Sequence, residues 1–227
     1  MSRTSKPRGS ALLFPGAKDP RPLDYLEKRW RQRGYRCLAG LDEAGRGPLA
    51  GPVVAAAVIL PEKIHRSSRL WKVRDSKALR PKDREELLVV IQAEAVCVAV
   101  AEGSVEEVER LNILQASLLA MSRAAAALSP RPDLCLVDGA QVFIGGPPAL
   151  AIPQGDRRSL SIAAASIVAK VFRDRLMLEA DAQYPEYGFC RHKGYGTAEH
   201  LVALSRHGPC PLHRRSFRGV RELVKEF

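Results

Sequence analysis

The stretch from residue 38 to residue 60 constrains the fold more than any other part of the chain. A short apolar run ends on two adjacent carboxylates, Asp42 and Glu43, and the glycine-framed arginine Gly45-Arg46-Gly47 follows them. An apolar, β-branched run from residue 53 to residue 60 comes next. Runs of this length and composition are typical of buried strands, so the pattern predicts strand, tight turn, strand. Because successive strand side chains face opposite ways, we expect a turn at Glu43 to swing its carboxylate back beside Asp42.

The same pattern of apolar run, acid and glycine recurs at residues 134–139, where the acid is Asp138. The order of predicted strands and helices indicates an α/β domain whose mixed sheet is antiparallel early and parallel late. If the first and fourth strands are parallel neighbours, their carboxyl ends meet at a topological switch point, where open α/β sheets bind ligands. Asp42 and Asp138 are then expected to lie close together despite their separation in sequence.

The remaining elements follow from periodicity and composition. Further strands are predicted at 95–101 and 149–152, and helices from Pro81, from the capping-box pattern at Ser104, and at 111–128, 161–179 and 197–207. The first 35 residues are predicted to be a basic, partly disordered arm. Residues 24–33 within it have helical spacing and are interpreted as a solvated basic helix. Residues 36–220 are expected to form the main folded domain, and residues 221–227 a tail.

Charge and cysteine usage narrow the functional class. The chain has 36 Lys and Arg against 25 Asp and Glu, a formal net charge of +11. Such an excess favours polyanionic partners, nucleic acid first. The five cysteines include no CxxC pair, and an odd number argues for a reducing compartment. No apolar run is long enough for a signal peptide or a membrane span, so we expect a cytoplasmic protein, with a monomer as the default.

Four carboxylates are candidates for one metal site: Asp42, Glu43, Asp138 and Asp156. Carboxylates that lie close together repel each other unless a cation neutralises them or they take up protons. Hard oxygen ligands select Mg²⁺ or Mn²⁺, and two such ions can cleave a phosphodiester. A structural role for each acid taken singly is the commoner outcome, and it is the recurrence of the pattern that favours a site.

Other residues fit phosphate and sugar contacts. The backbone N–H groups of Gly45, Arg46 and Gly47 could cradle a phosphate, but the segment lacks the Lys and Ser/Thr of a P-loop, which argues against an NTPase. Ser76 and Lys77 could reach phosphate, and Tyr195, between two glycines, suits a ring held against a sugar or base. A zinc site is disfavoured because the Cys and His spacing is too tight; the residues considered were Cys190, His192, Cys210 and His213.

Nine motifs together resemble bacterial ribonuclease HII, in that family's order and over about residues 36–220. They are Asp42-Glu-Ala-Gly-Arg-Gly-Pro-Leu-Ala-Gly51, Asp75-Ser-Lys77, Leu111-Asn-Ile-Leu114, Val137-Asp-Gly139, Gly155-Asp156, Ser161-Ile-Ala-Ala-Ala-Ser-Ile-Val-Ala-Lys170, Tyr187-Gly-Phe189, His192-Lys-Gly-Tyr-Gly-Thr197 and His213-Arg-Arg-Ser-Phe217. The resemblance implies an RNase H-like mixed five-stranded sheet flanked by helices, with a C-terminal helical extension.

The resemblance also implies an activity: cleavage of RNA in RNA–DNA hybrids and incision at ribonucleotides embedded in duplex DNA, as in ribonucleotide excision repair. It makes the four acids catalytic and metal-binding, and it assigns recognition of the 2′-OH and the RNA–DNA junction to Gly45, Arg46, Gly47 and Tyr195. It assigns phosphate binding to Ser76 and Lys77. One departure is Gln154, because the family usually has Lys before Gly-Asp.

Two alternatives remain open from the residues. One is another metal-dependent nuclease on the same fold, such as a junction resolvase, which would cut DNA regardless of ribose. The other is a nucleic-acid-binding module without catalysis, against which the presence of Asp42, Glu43 and Asp138 argues.

Overall fold

The computed structural model describes residues 23–73, 76 and 79–225, so most of the predicted arm and the last two residues lie outside the described residues. The strands are β1 Leu38–Ala44, β2 Val53–Ile59, β3 Cys97–Gly103, β4 Leu134–Asp138 and β5 Ala149–Ile152. The helices are α1 Tyr25–Arg31, α2 Pro81–Glu94, α3 Val105–Leu111, α4 Ile113–Ala126, α5 Leu160–Gln183, α6 Phe189–His192 and α7 Ala198–His207.

The strands form one five-stranded sheet in the order β3-β2-β1-β4-β5. The pairs β1–β2 and β2–β3 are antiparallel, whereas β1–β4 and β4–β5 are parallel. The predicted mixed sheet, antiparallel early and parallel late, is therefore confirmed. Leu41 pairs with Val137, and each is followed directly by an acid. The chain thus brings the ends of β1 and β4 to the same edge of the sheet.

The sheet is covered on both faces. Helices α2 and α5 pack on one face through an apolar cluster that includes Val58, Leu88 and Ile167. Helix α4 packs on the other face, where its Met121 lies in one apolar cluster with Leu41 of β1. The absence of a side chain at Gly40 lets α5 approach β1 closely, because the backbone at Ser161 lies where a Cβ of Gly40 would be. The helices on both faces bury the sheet, and this packing fixes the positions of the strand ends.

Several element boundaries differ from the predictions. Strand β3 begins two residues later than expected, at Cys97. The predicted helix over residues 111–128 is interrupted at Asn112, which has φ 71° and caps α4 by accepting hydrogen bonds from the N–H groups of Leu114 and Gln115. The start of α2 at Pro81 and the capping box of α3 at Ser104 are confirmed.

The interpretation of the segment around α1 as a solvated helix is wrong. Leu26 and Glu27 are buried. The Glu27 carboxylate accepts hydrogen bonds from the hydroxyl groups of Ser159 and Ser161 and from the N–H of Ser161. An acid at this place satisfies free N–H groups at the N-terminus of α5 and interacts favourably with its dipole. Despite its basic residues, α1 is therefore packed against the domain through Leu26 and Glu27.

The predicted C-terminal helical extension is confirmed. Helices α6 and α7 surround a separate apolar cluster centred on Tyr187, Phe189 and Leu204, which also takes in Leu49 from the segment after β1. This cluster holds the C-terminal part of the chain against the segment that follows β1. In the part of the chain that the structure describes, none of the helices has the length and hydropathy to cross a membrane.

Candidate active site

Asp42 and Glu43 lie at the end of β1, which runs on to Ala44. The expected turn at Glu43 is therefore wrong: Glu43 pairs with Ala55 in the sheet, and the two acids start from opposite faces. Asp42 is 5% exposed and accepts a 2.7 Å hydrogen bond from the N–H of Glu43. The hydroxyl group of Ser166, on α5, also donates to Asp42. Both acids nevertheless lie at the same edge of the sheet, because β1 ends there.

Asp138 ends β4, the parallel neighbour of β1. Its Oδ1 accepts a 2.6 Å hydrogen bond from the N–H of Gly155, which begins a short 3₁₀ turn, Gly155–Arg157. Asp156 is the next residue of that turn and is half-buried. The structure thus places Asp138 beside the acids of β1. The hydrogen bond from the N–H of Gly155 also fixes the turn that carries Asp156 next to Asp138. Gln154 precedes the turn in a left-handed conformation, with φ 55°, and is exposed.

Burial and mutual repulsion oppose ionisation of the acids. Burial raises the pKa of Asp42 well above its usual range, and the charges of Glu43 and Asp138 raise it further. Burial also raises the pKa of Glu43, although the guanidinium of Arg46 opposes the shift. Each shift favours the neutral acid, so a bound cation would relieve the repulsion that raises it. The site therefore carries an electrostatic cost that a divalent cation can offset.

We expect Asp42→Asn to raise the thermal stability of the metal-free protein. A carboxyl group with a raised folded-state pKa contributes stability at low pH and loses it as pH rises through that pKa, so the cost is present at neutral pH. Removing the Asp42 charge should raise the midpoint of thermal unfolding by about 2–4 °C for each kcal/mol of electrostatic cost that is relieved. Calorimetry at pH 7.5 in chelator checks this. A variant that is less stable than wild type under those conditions contradicts it.

The donor chemistry fits a hard divalent cation, but the acids are not preassembled. Among residues 23–73, 76 and 79–225, no group of three or more His, Cys, Asp or Glu side chains is arranged to hold a metal ion. The charge of Asp138 nevertheless raises the pKa of both Asp42 and Glu43, and the charge of Glu43 also raises the pKa of Asp42. Carboxylate oxygens are the ligands that Mg²⁺ and Mn²⁺ prefer. These side chains would have to draw together around such an ion.

The segment after β1 forms the outer wall of the site. Arg46 donates a 3.1 Å hydrogen bond to Glu43 Oε1. A cleft of about 160 Å³ is lined by Glu43, Arg46 and Asp138 with residues of α4. A side chain on Gly47 would lie 3.6 Å from the ring of Tyr195, which is 45% exposed. The predicted sugar-contacting residues therefore adjoin one another and the acids.

Ser76 lies behind the site rather than on its surface. Ser76 is 3% exposed, and its hydroxyl group is 2.8 Å from that of Ser166. Either hydroxyl group can donate in this pair, and Ser166 also interacts with the Asp42 carboxylate, so the two serines lie together on the buried side of that acid. A hydroxyl group in this position does not face an incoming phosphate. Lys77 lies outside the described residues.

A buried chain of histidine side chains, which no sequence pattern indicated, holds the backbone of Tyr195. The N–H of Cys210 donates to His213 Nδ1, so the proton of this imidazole is on Nε2 and is donated to His200 Nε2, 3.0 Å away. His200 Nδ1 then donates to the carbonyl oxygen of Tyr195 at 2.9 Å. These tautomers follow from the hydrogen-bond network. Both imidazoles must be neutral for the chain to form.

We expect acidification to destabilise the protein through these histidines. Burial lowers the pKa of His213 to about 4 and also lowers that of His200. A depressed folded-state pKa contributes stability that is present above about pH 6.5 and lost as pH falls toward about 4, on the order of 2–3 kcal/mol for His213. Urea unfolding of wild type and His213→Asn from pH 7.5 to 4.5 checks this. The difference between them should shrink on acidification, and a constant difference contradicts the assignment.

The sheet order, the flanking helices and the C-terminal helices define an RNase H-like α/β domain. The family model for ribonuclease HII matches residues 39–220. The ribonuclease HII of Syntrophotalea carbinolica is 54% identical over 212 residues, covering 93% of this chain and 99% of the relative. The crystal structure of ribonuclease H2 from Pyrococcus horikoshii OT3 is 27% identical with a TM-score of 0.70, covering 84% of this chain and 98% of that one.

A more distant structure, Bst-RNase HIII in complex with Mn²⁺, is 18% identical with a TM-score of 0.63 and covers 84% of this chain and 70% of its own. At that identity it shows the shared fold alone. The family match and the close relatives show more: the chain belongs to the ribonuclease HII family. It is accordingly an endoribonuclease of the type 2 ribonuclease H class, acting on nucleic acid.

Proposed function

We propose that the protein hydrolyses the RNA strand of RNA–DNA hybrids and incises duplex DNA at embedded ribonucleotides, leaving 5′-phosphate and 3′-OH ends. The observation that carries the proposal is that Asp42, Glu43 and Asp138 lie at one edge of the sheet, where β1 and β4 end side by side, directly beside the segment of Arg46 and Gly47. Family membership supports the reaction class. In the cell, this activity would serve ribonucleotide excision repair.

The metal ligands in this proposal are Asp42, Glu43, Asp138 and Asp156. Two Mg²⁺ or Mn²⁺ ions held there would activate a water molecule and stabilise the leaving 3′ oxygen. The Mn²⁺ complex of Bst-RNase HIII, on the same fold, is consistent with such ions. The chain's own contribution is to fix the carboxylates. Ser166 and the N–H of Glu43 hold Asp42, and the N–H of Gly155 holds Asp138.

Recognition of ribose is assigned to Gly45, Arg46 and Gly47 together with Tyr195. Arg46 and Gly47 are exposed, and the Tyr195 ring lies beside Gly47. A 2′-OH both donates and accepts hydrogen bonds and is what distinguishes RNA from DNA at a cut site. Lys77 is proposed as a phosphate contact. For the buried Ser76, the contact with Ser166 favours a role in orienting Asp42 instead.

Cations elsewhere on the surface would bind the two nucleic-acid backbones. The formal net charge of +11 supports affinity that falls as salt rises, because released counterions drive such binding. We propose that the protein acts as a monomer on these duplexes.

A panel of three duplexes tests the proposal: an RNA–DNA hybrid, a DNA duplex with one ribonucleotide, and the same duplex in plain DNA. Each is incubated with Mg²⁺, with Mn²⁺ or with chelator. We expect cleavage of the first two, only with a divalent ion, and mapped 5′-phosphate ends at the ribonucleotide. Cleavage of plain DNA or of a four-way junction, indifferent to ribose, would instead favour the resolvase-like alternative. Binding without cleavage in every arm would favour a non-catalytic module.

A further inference from the structure

Arg214, in the C-terminal extension, gathers the carbonyl groups of the segment that follows β1. Its side chain is fully buried. Nε and Nη2 donate to the carbonyl oxygen of Gly51 at 2.9 and 2.7 Å. Nη2 also donates to Gly45 at 2.7 Å, and Nη1 donates to Pro48 at 2.9 Å and Arg46 at 3.2 Å. A single buried guanidinium therefore fixes the backbone conformation of residues 45–51.

Arg214 is an unusual residue for such a place. Within the described part of the chain, it forms no ion pair with a carboxylate, and backbone carbonyl groups are its hydrogen-bond partners. Burial lowers its pKa to about 9, and the charge of the nearby Arg173 lowers it further. A buried cation is costly unless its hydrogen bonds are satisfied, and an apolar residue of similar volume is often no less stable. Stability alone therefore gives no reason for an arginine here.

Peptide geometry explains what the arginine achieves. In a trans peptide, the C=O of one residue and the N–H of the next point in opposite directions. Because the carbonyl groups of Gly45 and Arg46 point inward to Arg214, the N–H groups of Arg46 and Gly47 point outward. Both residues are exposed, and neither N–H has a backbone acceptor among the described residues.

The other carbonyl groups held by Arg214 expose no further donor. The one on Pro48 precedes Leu49, whose N–H donates to Gly194 at 2.8 Å. The one on Gly51 precedes Pro52, which has no N–H. The arrangement therefore aims two adjacent amides, those of Arg46 and Gly47, at the surface beside Tyr195.

We propose that Arg214 is a positioning residue for ribose recognition: by binding the carbonyl groups of Gly45 and Arg46, it orients the amides of Arg46 and Gly47 toward the 2′-OH of the substrate. The inference rests on the proposed function. A second arginine completes the frame, since Arg173 donates to Ala50 and to Lys193, two residues from Tyr195. Lysine cannot replace Arg214, because a compact ammonium lacks the planar fork that serves carbonyl groups in several directions.

The test measures preference for ribose in binding, separately from cleavage. In an Asp138→Asn background, dissociation constants are measured for a DNA duplex with one ribonucleotide and for the identical all-DNA duplex. We expect the parent to prefer the ribonucleotide duplex, and Arg214→Lys to lower this preference by about tenfold, since a site built to bind a hydroxyl group discriminates through that contact. Affinity for all-DNA should stay within about threefold, because phosphate contacts dominate it.

Two further variants distinguish a positioning role of Arg214 from a general loss of stability. Phe217→Leu alters the ring that lies 5.0 Å from the guanidinium carbon of Arg214, and it should reduce the preference in the same direction even if Arg214→Lys fails to fold. Leu88→Ala, in the core between α2 and α5, is the control for lost stability and should retain the preference. An unchanged preference in the folded Arg214 and Phe217 variants overturns the inference alone. A parent without preference overturns it together with the proposed ribose recognition.

Discussion

Replacing Asp138 with Asn is expected to slow cleavage of an RNA–DNA hybrid by about 10³-fold or more, because a metal ligand supplies several kcal/mol of charge stabilisation. Asparagine retains an oxygen that can accept the hydrogen bond from the N–H of Gly155, so the turn carrying Asp156 should stay in place. What the substitution removes is the charge that faces Asp42 and Glu43. The variant should therefore fold and bind the hybrid with an affinity within about threefold of wild type, since phosphate contacts dominate binding.

The experiment compares single-turnover cleavage and equilibrium binding of the same hybrid. Asp133→Asn is the matched control, because Asp133 stands just before β4, at its other end, and also accepts backbone hydrogen bonds, from Arg36 and Cys37. It should cleave at the wild-type rate. If purified Asp138→Asn also cleaves at that rate, the reaction takes place elsewhere on the molecule.

Gly40→Ala is expected to destabilise the protein by about 3 kcal/mol, at the upper end of the range for overpacking. A methyl group there would overlap backbone atoms of Ser161 and Ile162, and backbone cannot move aside as a flexible side chain can. Strand β1 would have to separate from α5. Because Asp42 lies two residues along β1 and is held by Ser166 on α5, activity should fall together with stability.

Urea unfolding measures the loss in Gly40→Ala. Gly34→Ala is the control: Gly34 has φ 97° with open space around it, so the added methyl group causes backbone strain of only about 1–2 kcal/mol. A Gly40→Ala protein as stable as the Gly34→Ala protein would show that β1 and α5 are not held in close contact.

The sheet and the meeting of Asp42 with Asp138 could be predicted because both depend on local patterns. An apolar run followed by an acid and a glycine marks the end of a buried strand, and two such strands bring their acids together if they are parallel neighbours, as β1 and β4 are. The capping box at Ser104 and Pro81 at the start of α2 are similarly local signals. Where structure follows from patterns within a few residues, the sequence is sufficient.

The features that the sequence analysis missed depend on distant partners. Glu27 looked like one more charge on a basic helix, and only its contacts with Ser159 and Ser161 explain its burial. Ser76 looked like a phosphate contact until its partner was known to be Ser166. For Arg214, the partners are backbone carbonyl groups far away in the chain, and a carbonyl group has no residue type that a sequence could reveal. Its only signal was its place in a motif of the resemblance.

We expect Asp42 and Asp138, from two adjacent strand ends, to share a divalent cation, and calorimetric titration with Mn²⁺ measures this without any cleavage assay. Wild type should bind Mn²⁺, and both Asp42→Asn and Asp138→Asn should weaken that binding by about tenfold or more, or about 1.4 kcal/mol, because each removes a charged ligand. Asp133→Asn should bind as wild type does. Equal Mn²⁺ affinity in wild type, Asp42→Asn and Asp138→Asn would show that these two acids do not share an ion.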